Sequence, residues 1–242
     1  MKATLREQHA ILNIQNFDFA HSTLANKAAN LPEIAAINSL TIKANNARDL
    51  RIAAETEHND VKRELLRAEG DVEQIVTRIN RDETRLASGT PSPKELEQLQ
   101  HEIGTLGVRR AELEEIELEI MIRIDGIKAR ITELSEQESA LAAEITELEI
   151  KKANALAAIN TDLEATTRDR ATEIANIGAE LVALYEKIRA SNNGTGAAAL
   201  VGNQCKGCHL TVNNVELQRI ASLAEDELVR CEECRCILVR GL

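Results

Sequence analysis

The sequence is almost without aromatic rings. Phe17, Phe19 and Tyr185 are its aromatic residues, tryptophan is absent, and rings make up 1% of the 242 residues. A compact globular core of this length uses many more of them. Helix breakers are equally scarce, with Pro32, Pro91 and Pro93 the only prolines. No run of about 18 apolar residues occurs, which excludes a membrane-spanning helix. The opening residues Met1-Lys2-Ala3-Thr4-Leu5-Arg6-Glu7 lack the apolar stretch of a secretory signal. A soluble, cytoplasmic protein is expected. No cysteine precedes Cys205. In a reducing compartment, five cysteines gathered at one end favour metal over disulfides.

What is present is Ala, Leu, Ile and Val interleaved with Glu, Lys and Arg, for a net charge of -11. That mixture suits a long two-helix seam, whose core is thin and linear. Glycine and two prolines crowd together in Ser88-Gly89-Thr90-Pro91-Ser92-Pro93. Proline removes a backbone donor and clashes with the preceding turn, so a helix cannot run through this stretch. On either side lie roughly 90 residues of helix-like sequence, about 130 Å each if fully helical. The expectation is a hairpin turning near 88–94. Ser92 is the predicted N-cap of the return helix, with Pro93 at its first position and Glu95 three residues after the cap.

The outgoing arm starts weakly (Leu5, Leu12, Phe19), and Pro32 predicts a kink near 30–33. Polar seam positions are expected around Arg48 and Glu57. The pattern then becomes regular at Val61, Leu65, Ala68, Val72, Ile75, Ile79 and Leu86, alternating steps of four and three. The return arm keeps the same rhythm through Leu96, Leu99, Ile103, Leu106, Leu113, Ile116 and Ile120. A step of four to Ile124 marks a phase shift. The rhythm continues through Ile127, Ile131 and Leu134 to Leu148, shifts again near Lys152, and closes with Ile174, Ile177, Leu181, Leu184 and Ile188. Ser191-Asn192-Asn193-Gly194-Thr195-Gly196 ends the helix. The predicted organisation is mainly α: an antiparallel coiled-coil hairpin over 1–190, a linker over 191–202, and a zinc ribbon over 203–242.

Cys205-x-x-Cys208 and Cys231-x-x-Cys234 present four thiolates, enough for a tetrahedral zinc site with no open position. The segment is too short for much core of its own, so one structural Zn2+ would supply much of its folding free energy. A short helix between Val212 and Leu223, and strands at 228–230 and 237–239, complete a ribbon arrangement. Cys205-Lys206-Gly207-Cys208-His209 also matches the attachment sequence of c-type haem, but that chemistry belongs to exported proteins and leaves the second pair unexplained. A redox dithiol lacks its surrounding βαβ pattern. His209 reads as a surface residue, and Cys236 as a small buried one.

The turn and return-helix start (Pro93 to Ile103), the Gly194-x-Gly196 of the linker, and the two CxxC pairs followed by Ile237-Leu238 resemble a bacterial family. Its members join a long coiled-coil hairpin to a C-terminal C4-type zinc ribbon, and include a chlamydial coiled-coil protein and a Helicobacter flagellar regulator. The resemblance implies that Cys205, Cys208, Cys231 and Cys234 are the zinc ligands. It also implies links to an alternative sigma factor, to export machinery and to messenger RNA. Arg235, Cys236 and Val239 stand where that family often has Gly, Arg and Tyr. The change removes a phosphate partner and a stacking ring, and it would strain Arg235 if the position needs a positive φ.

Two functions follow as expectations. The first is a non-enzymatic adaptor or scaffold, monomer or homodimer, that binds a protein partner. The alternative is a regulator that binds RNA or DNA through the ribbon, using Arg230, Arg235 and Arg240. Residues 197–242 carry five cations against six carboxylates, whereas nucleic-acid binders normally show a basic face. No phosphate loop or nucleophile–base set supports an enzyme.

Overall fold

Helix starts follow the local capping chemistry. In the computed structural model, which describes residues 1–89 and 92–241, α1 spans Leu5–Ala29. Thr4 caps it: its hydroxyl accepts from the Glu7 amide while the Glu7 carboxylate accepts from the Thr4 amide. The Thr4 amide and hydroxyl both donate to the Glu7 carboxylate, which holds that carboxyl below its ordinary pKa. α2 (Pro32–Ala87) opens on a proline whose missing N–H costs nothing at a helix start. α3 spans Pro93–Ala175, α4 Ala179–Ser191 and α5 Asn214–Ser222. Four short strands, β1 (Ala197–Val201), β2 (Gln204–Cys205), β3 (Val229–Arg230) and β4 (Ile237–Val239), form one sheet in the order β2-β1-β4-β3.

The chain makes two compact units, Ala35–Glu149 and Met1–Ile34 with Ile150–Leu242. In the first, α2 and α3 form an antiparallel hairpin. Ion pairs record the register: Arg51–Glu138 at 2.8 Å, Arg123–Glu64 at 3.2 Å, Arg78–Glu102, and Arg85–Glu95 at 3.8 Å. The partner number falls as the α2 number rises. Thr90 and Pro91 of the expected turn lie outside the described residues. Beside them, the Ser92 amide donates to Glu95 at 2.8 Å, lowering the pKa of that carboxyl.

The seam departs from the sequence expectation in three places. Arg48 and Glu57 are exposed; Ala47 and Ala54 occupy the seam, continuing through Val61 and Ala68 at seven-residue steps. The small side chain of alanine marks no face in the sequence. Ile116 is 44% exposed, because the shift of phase buries Ile120 and Ile124 together instead. Asp82, between Ile79 and Leu86, is buried in the seam, with one carboxylate oxygen lacking a partner.

In the second unit, the return arm is interrupted where continuous helix was expected. α3 ends at Ala175, and Gly178 is the N-cap of α4. Residues 197–201, expected within the linker, are β1. Gly194 takes φ 87°, and its amide reaches back to the Arg189 carbonyl at 3.0 Å. A Cβ on Gly196 would lie 2.5 Å from the Tyr185 ring and 2.9 Å from the Tyr185 carbonyl, so only glycine fits. Tyr185 is fully buried with Ile11, Ile14, Leu181 and Ile188. Its hydroxyl donates to Asp18 at 2.6 Å. Asp18 also binds Arg170 at 2.7 Å and Arg189 at 3.2 Å, and Glu186 pairs with both arginines. Burial works against the Arg170 charge, but the bonds to Asp18 and Glu186 outweigh it and raise its pKa.

Asp18→Asn keeps the shape but leaves two guanidinium groups short of a carboxylate. Because the arginines are partly exposed, the expected loss is roughly 2–3 kcal/mol, below that of a fully buried pair. Chemical denaturation measures it, and an unchanged midpoint would refute the assigned role. Asp82→Leu should do the reverse and stabilise the hairpin by about 1–3 kcal/mol, read as a higher thermal midpoint; a lower midpoint would show the carboxylate to be needed.

Candidate metal centre

The knuckles form because each CxxC folds its chain back on itself. The His209 amide donates to the Cys205 carbonyl at 2.8 Å, and the Cys205 amide to the Leu210 carbonyl at 3.1 Å. The second knuckle matches it. The Arg235 amide donates to the Cys231 carbonyl at 3.0 Å, and the Cys231 amide to the Cys236 carbonyl at 2.9 Å. The tight reversals need left-handed backbone at the same place in each knuckle: His209 has φ 60° and Arg235 φ 62°. Arg235 therefore occupies the conformation that favours glycine.

The sheet brings the knuckles together. β1 pairs antiparallel with β2, which carries Cys205, and parallel with β4, which follows the second knuckle. The sulfurs of Cys205, Cys208, Cys231 and Cys234 all lie within 4.8 Å of one another. Cys205–Cys234 and Cys208–Cys231 are each 3.9 Å apart. A tetrahedron with Zn–S bonds of about 2.3 Å has sulfurs about 3.8 Å apart, so the four fit one zinc ion. Burial pushes the Cys234 thiol up to about 12, opposed by hydrogen bonds from Cys236.

The remaining residues singled out in the sequence fall around this cluster. Cys236 is fully buried, with its sulfur 3.3 Å from that of Cys234 and 3.7 Å from that of Cys205. It packs with Ala198, Ile220, Val229 and Leu238 in the ribbon core. Burial also raises its pKa. His209 is exposed on the surface of its knuckle. α5 lies between the knuckles, capped by Asn213, whose side chain accepts from the Glu216 amide at 2.7 Å. At its other end the Arg240 guanidinium donates to five carbonyls, those of Ile220, Leu223, Ala224, Glu225 and Glu227, at 2.7–3.4 Å. Arg230 donates to the Arg235 carbonyl at 3.0 Å, and Arg219 is paired with Glu216.

Sequence reasoning missed the part played by the N-terminal segment. Lys2 bridges Glu227 in antiparallel pairing, and the Ala3 amide donates to the Asp226 carbonyl at 2.8 Å. The buried Gln8 amide donates to the Glu225 carbonyl at 2.8 Å, and Gln15 accepts from the Gly196 amide at 2.6 Å. Polar residues in a weakly periodic helix gave no signal of these long-range bonds.

Residues 14–193 match the CT398-like coiled coil hairpin domain, and residues 204–238 match the C4-type zinc ribbon domain. An uncharacterized protein of Mycobacterium tuberculosis is 35% identical over 244 residues, covering 99% of this chain and 98% of the relative. A solved structure from Mycobacterium smegmatis is 30% identical and superposes with a TM-score of 0.87 over 100% of both chains. CT398 from Chlamydia trachomatis, 20% identical, shares the fold at a TM-score of 0.70, over 97% of this chain and 98% of its own. With the hairpin and the ribbon both matched, this chain belongs to the CT398-like coiled-coil hairpin family and carries a C4-type zinc ribbon with one structural Zn2+.

Proposed function

We propose that this protein is a non-enzymatic cytoplasmic adaptor, in which Cys205, Cys208, Cys231 and Cys234 hold the structural zinc and the ribbon and coiled coil engage a protein partner. The single observation that carries this reading is the closed four-sulfur cluster, in a ribbon where Arg219, Arg230 and Arg240 bond the ribbon's own groups. Four thiolates leave zinc no open position for substrate or water. Arg240 spends its guanidinium on the carbonyls after α5, Arg230 bonds the second knuckle, and Arg219 faces Glu216. Of the three arginines an RNA-binding patch would use, Arg235 alone is exposed without such a bond among the described residues, and one exposed arginine is a weak phosphate site. The family resemblance points to transcription or export machinery as the class of partner.

Zinc binding displaces the thiol protons, so zinc affinity should fall as pH falls. Competition with a chromophoric chelator should show a decline of more than about tenfold per pH unit below neutrality, since more than one proton is exchanged. Cys205→Ser should abolish stoichiometric zinc and amide protection in the ribbon, while residues 35–149 remain helical by hydrogen exchange. Wild-type zinc content in that variant would remove Cys205 from the ligand set.

The adaptor reading is tested by crosslinked pull-down from native cells, with and without nuclease, comparing wild type with Cys231→Ser/Cys234→Ser. Nuclease-resistant proteins recovered only by wild type are the expected result. Recovery of a defined RNA, with protein lost on nuclease treatment, would replace the adaptor reading with the nucleic-acid one.

A further inference from the structure

α3 carries a second apolar stripe that the hairpin does not use. Its seam toward α2 is formed by Leu113, Ile120, Ile124 and Ile127, all buried. On the opposite side, positions 108, 111, 115, 118, 122, 125 and 129 repeat at steps of three and four, the spacing of a helix–helix seam. Val108, Leu118 and Ile122 there are 64%, 59% and 67% exposed, Ala111 and Ala129 are exposed between and beyond them, and Glu115 and Asp125 hold the other two positions. Exposed apolar residues scattered singly need no explanation, but a run in heptad register does.

The charges around this stripe state what would cover it. Residues 108–129 hold four cations, and each already has a carboxylate. Arg109 pairs with Glu112 at 2.8 Å, Arg110 with Glu114 at 3.1 Å, Arg123 with Glu64 at 3.2 Å, and Lys128 with Asp125 at 3.6 Å. Glu115 lies within the stripe, and Glu119 beside it, with no cation of this segment left for either. A second copy of the chain would add the same carboxylates to the same seam, and like charges there disfavour pairing. A helix with an apolar stripe flanked by lysine or arginine would bury the leucine and isoleucine and neutralise the glutamates.

Resting on the adaptor reading, we infer that the outward face of α3 over residues 108–129, an exposed Val108–Leu118–Ile122 stripe beside unneutralised Glu115 and Glu119, docks a basic amphipathic helix of a partner protein.

The probe is a synthetic three-heptad peptide with leucine at a and d and lysine at e and g, titrated into the full-length protein by fluorescence anisotropy. A scrambled lysine peptide of the same composition serves as control. Wild type should bind the amphipathic peptide saturably at one site. Leu118→Ser/Ile122→Ser should weaken binding by roughly tenfold or more, while Leu66→Ser, an exposed leucine on α2, changes nothing. Glu115→Gln/Glu119→Gln should weaken binding and reduce its salt dependence. Equal binding of the scrambled peptide, or undiminished binding by the Leu118/Ile122 variant, would overturn the inference. So would a wild-type dimer in sedimentation that this variant converts to monomer. A native partner crosslinked equally by wild type and this variant, yet lost from the cysteine variant, would overturn this surface and leave the adaptor reading standing.

Discussion

The parallel pairing of β1 with β4 is the constraint on which the ribbon and its neighbouring helices both depend. Successive strand residues face opposite sides. Ala197 and Ile237 therefore enter the core of Ile11, Ile14, Tyr185 and Ile188, while Ala198 and Leu238 enter the core that holds Cys205, Cys231 and Cys236. One ladder of a few residues is shared by two cores. The connection between its two strands contains both knuckles and α5, so the metal closes the loop that a parallel pair requires. The strand against which Tyr185 rests is thereby the same strand that starts the loop carrying both knuckles.

Around that ladder the protein uses its few special residues economically. The sole tyrosine fills the centre of the helical side, and Gly196 is there because the Tyr185 ring leaves no room for a Cβ. Asp18, Arg170, Arg189 and Glu186 alternate in sign around the phenol, so the buried charge is compensated from three helices. The N-terminal residues then pair with the loop before β3, tying α1 to the ribbon by main-chain bonds.

The hairpin of residues 35–149 follows a different logic. Its core is one row of contacts, in which the small side chains of Ala47, Ala54 and Ala68 take the α2 positions over part of the length. Ion pairs across the seam hold the register, but at these exposures each contributes little. Most of the cohesion comes from the leucine and isoleucine of α3 buried against α2.

The hairpin, its antiparallel sense, the helix break at Pro32 and the four-cysteine cluster were legible in the sequence, because each rests on a local rule. Apolar spacing of three and four specifies a helix face, proline specifies an end, and paired CxxC motifs specify thiolate geometry. What the sequence concealed is non-local. Ala197–Val201 looked like a linker because five small or apolar residues have no periodicity until β4 lies beside them. Gln8, Gln15 and Asp18 carry no signal in the sequence, because their partners stand more than 150 residues away. Arg240 looked like part of a phosphate-binding patch, and tertiary structure turned it inward to cap α5. A sequence determines which faces are apolar and where helices stop. Only the folded chain decides which polar groups find each other, because that choice depends on distances no local pattern encodes.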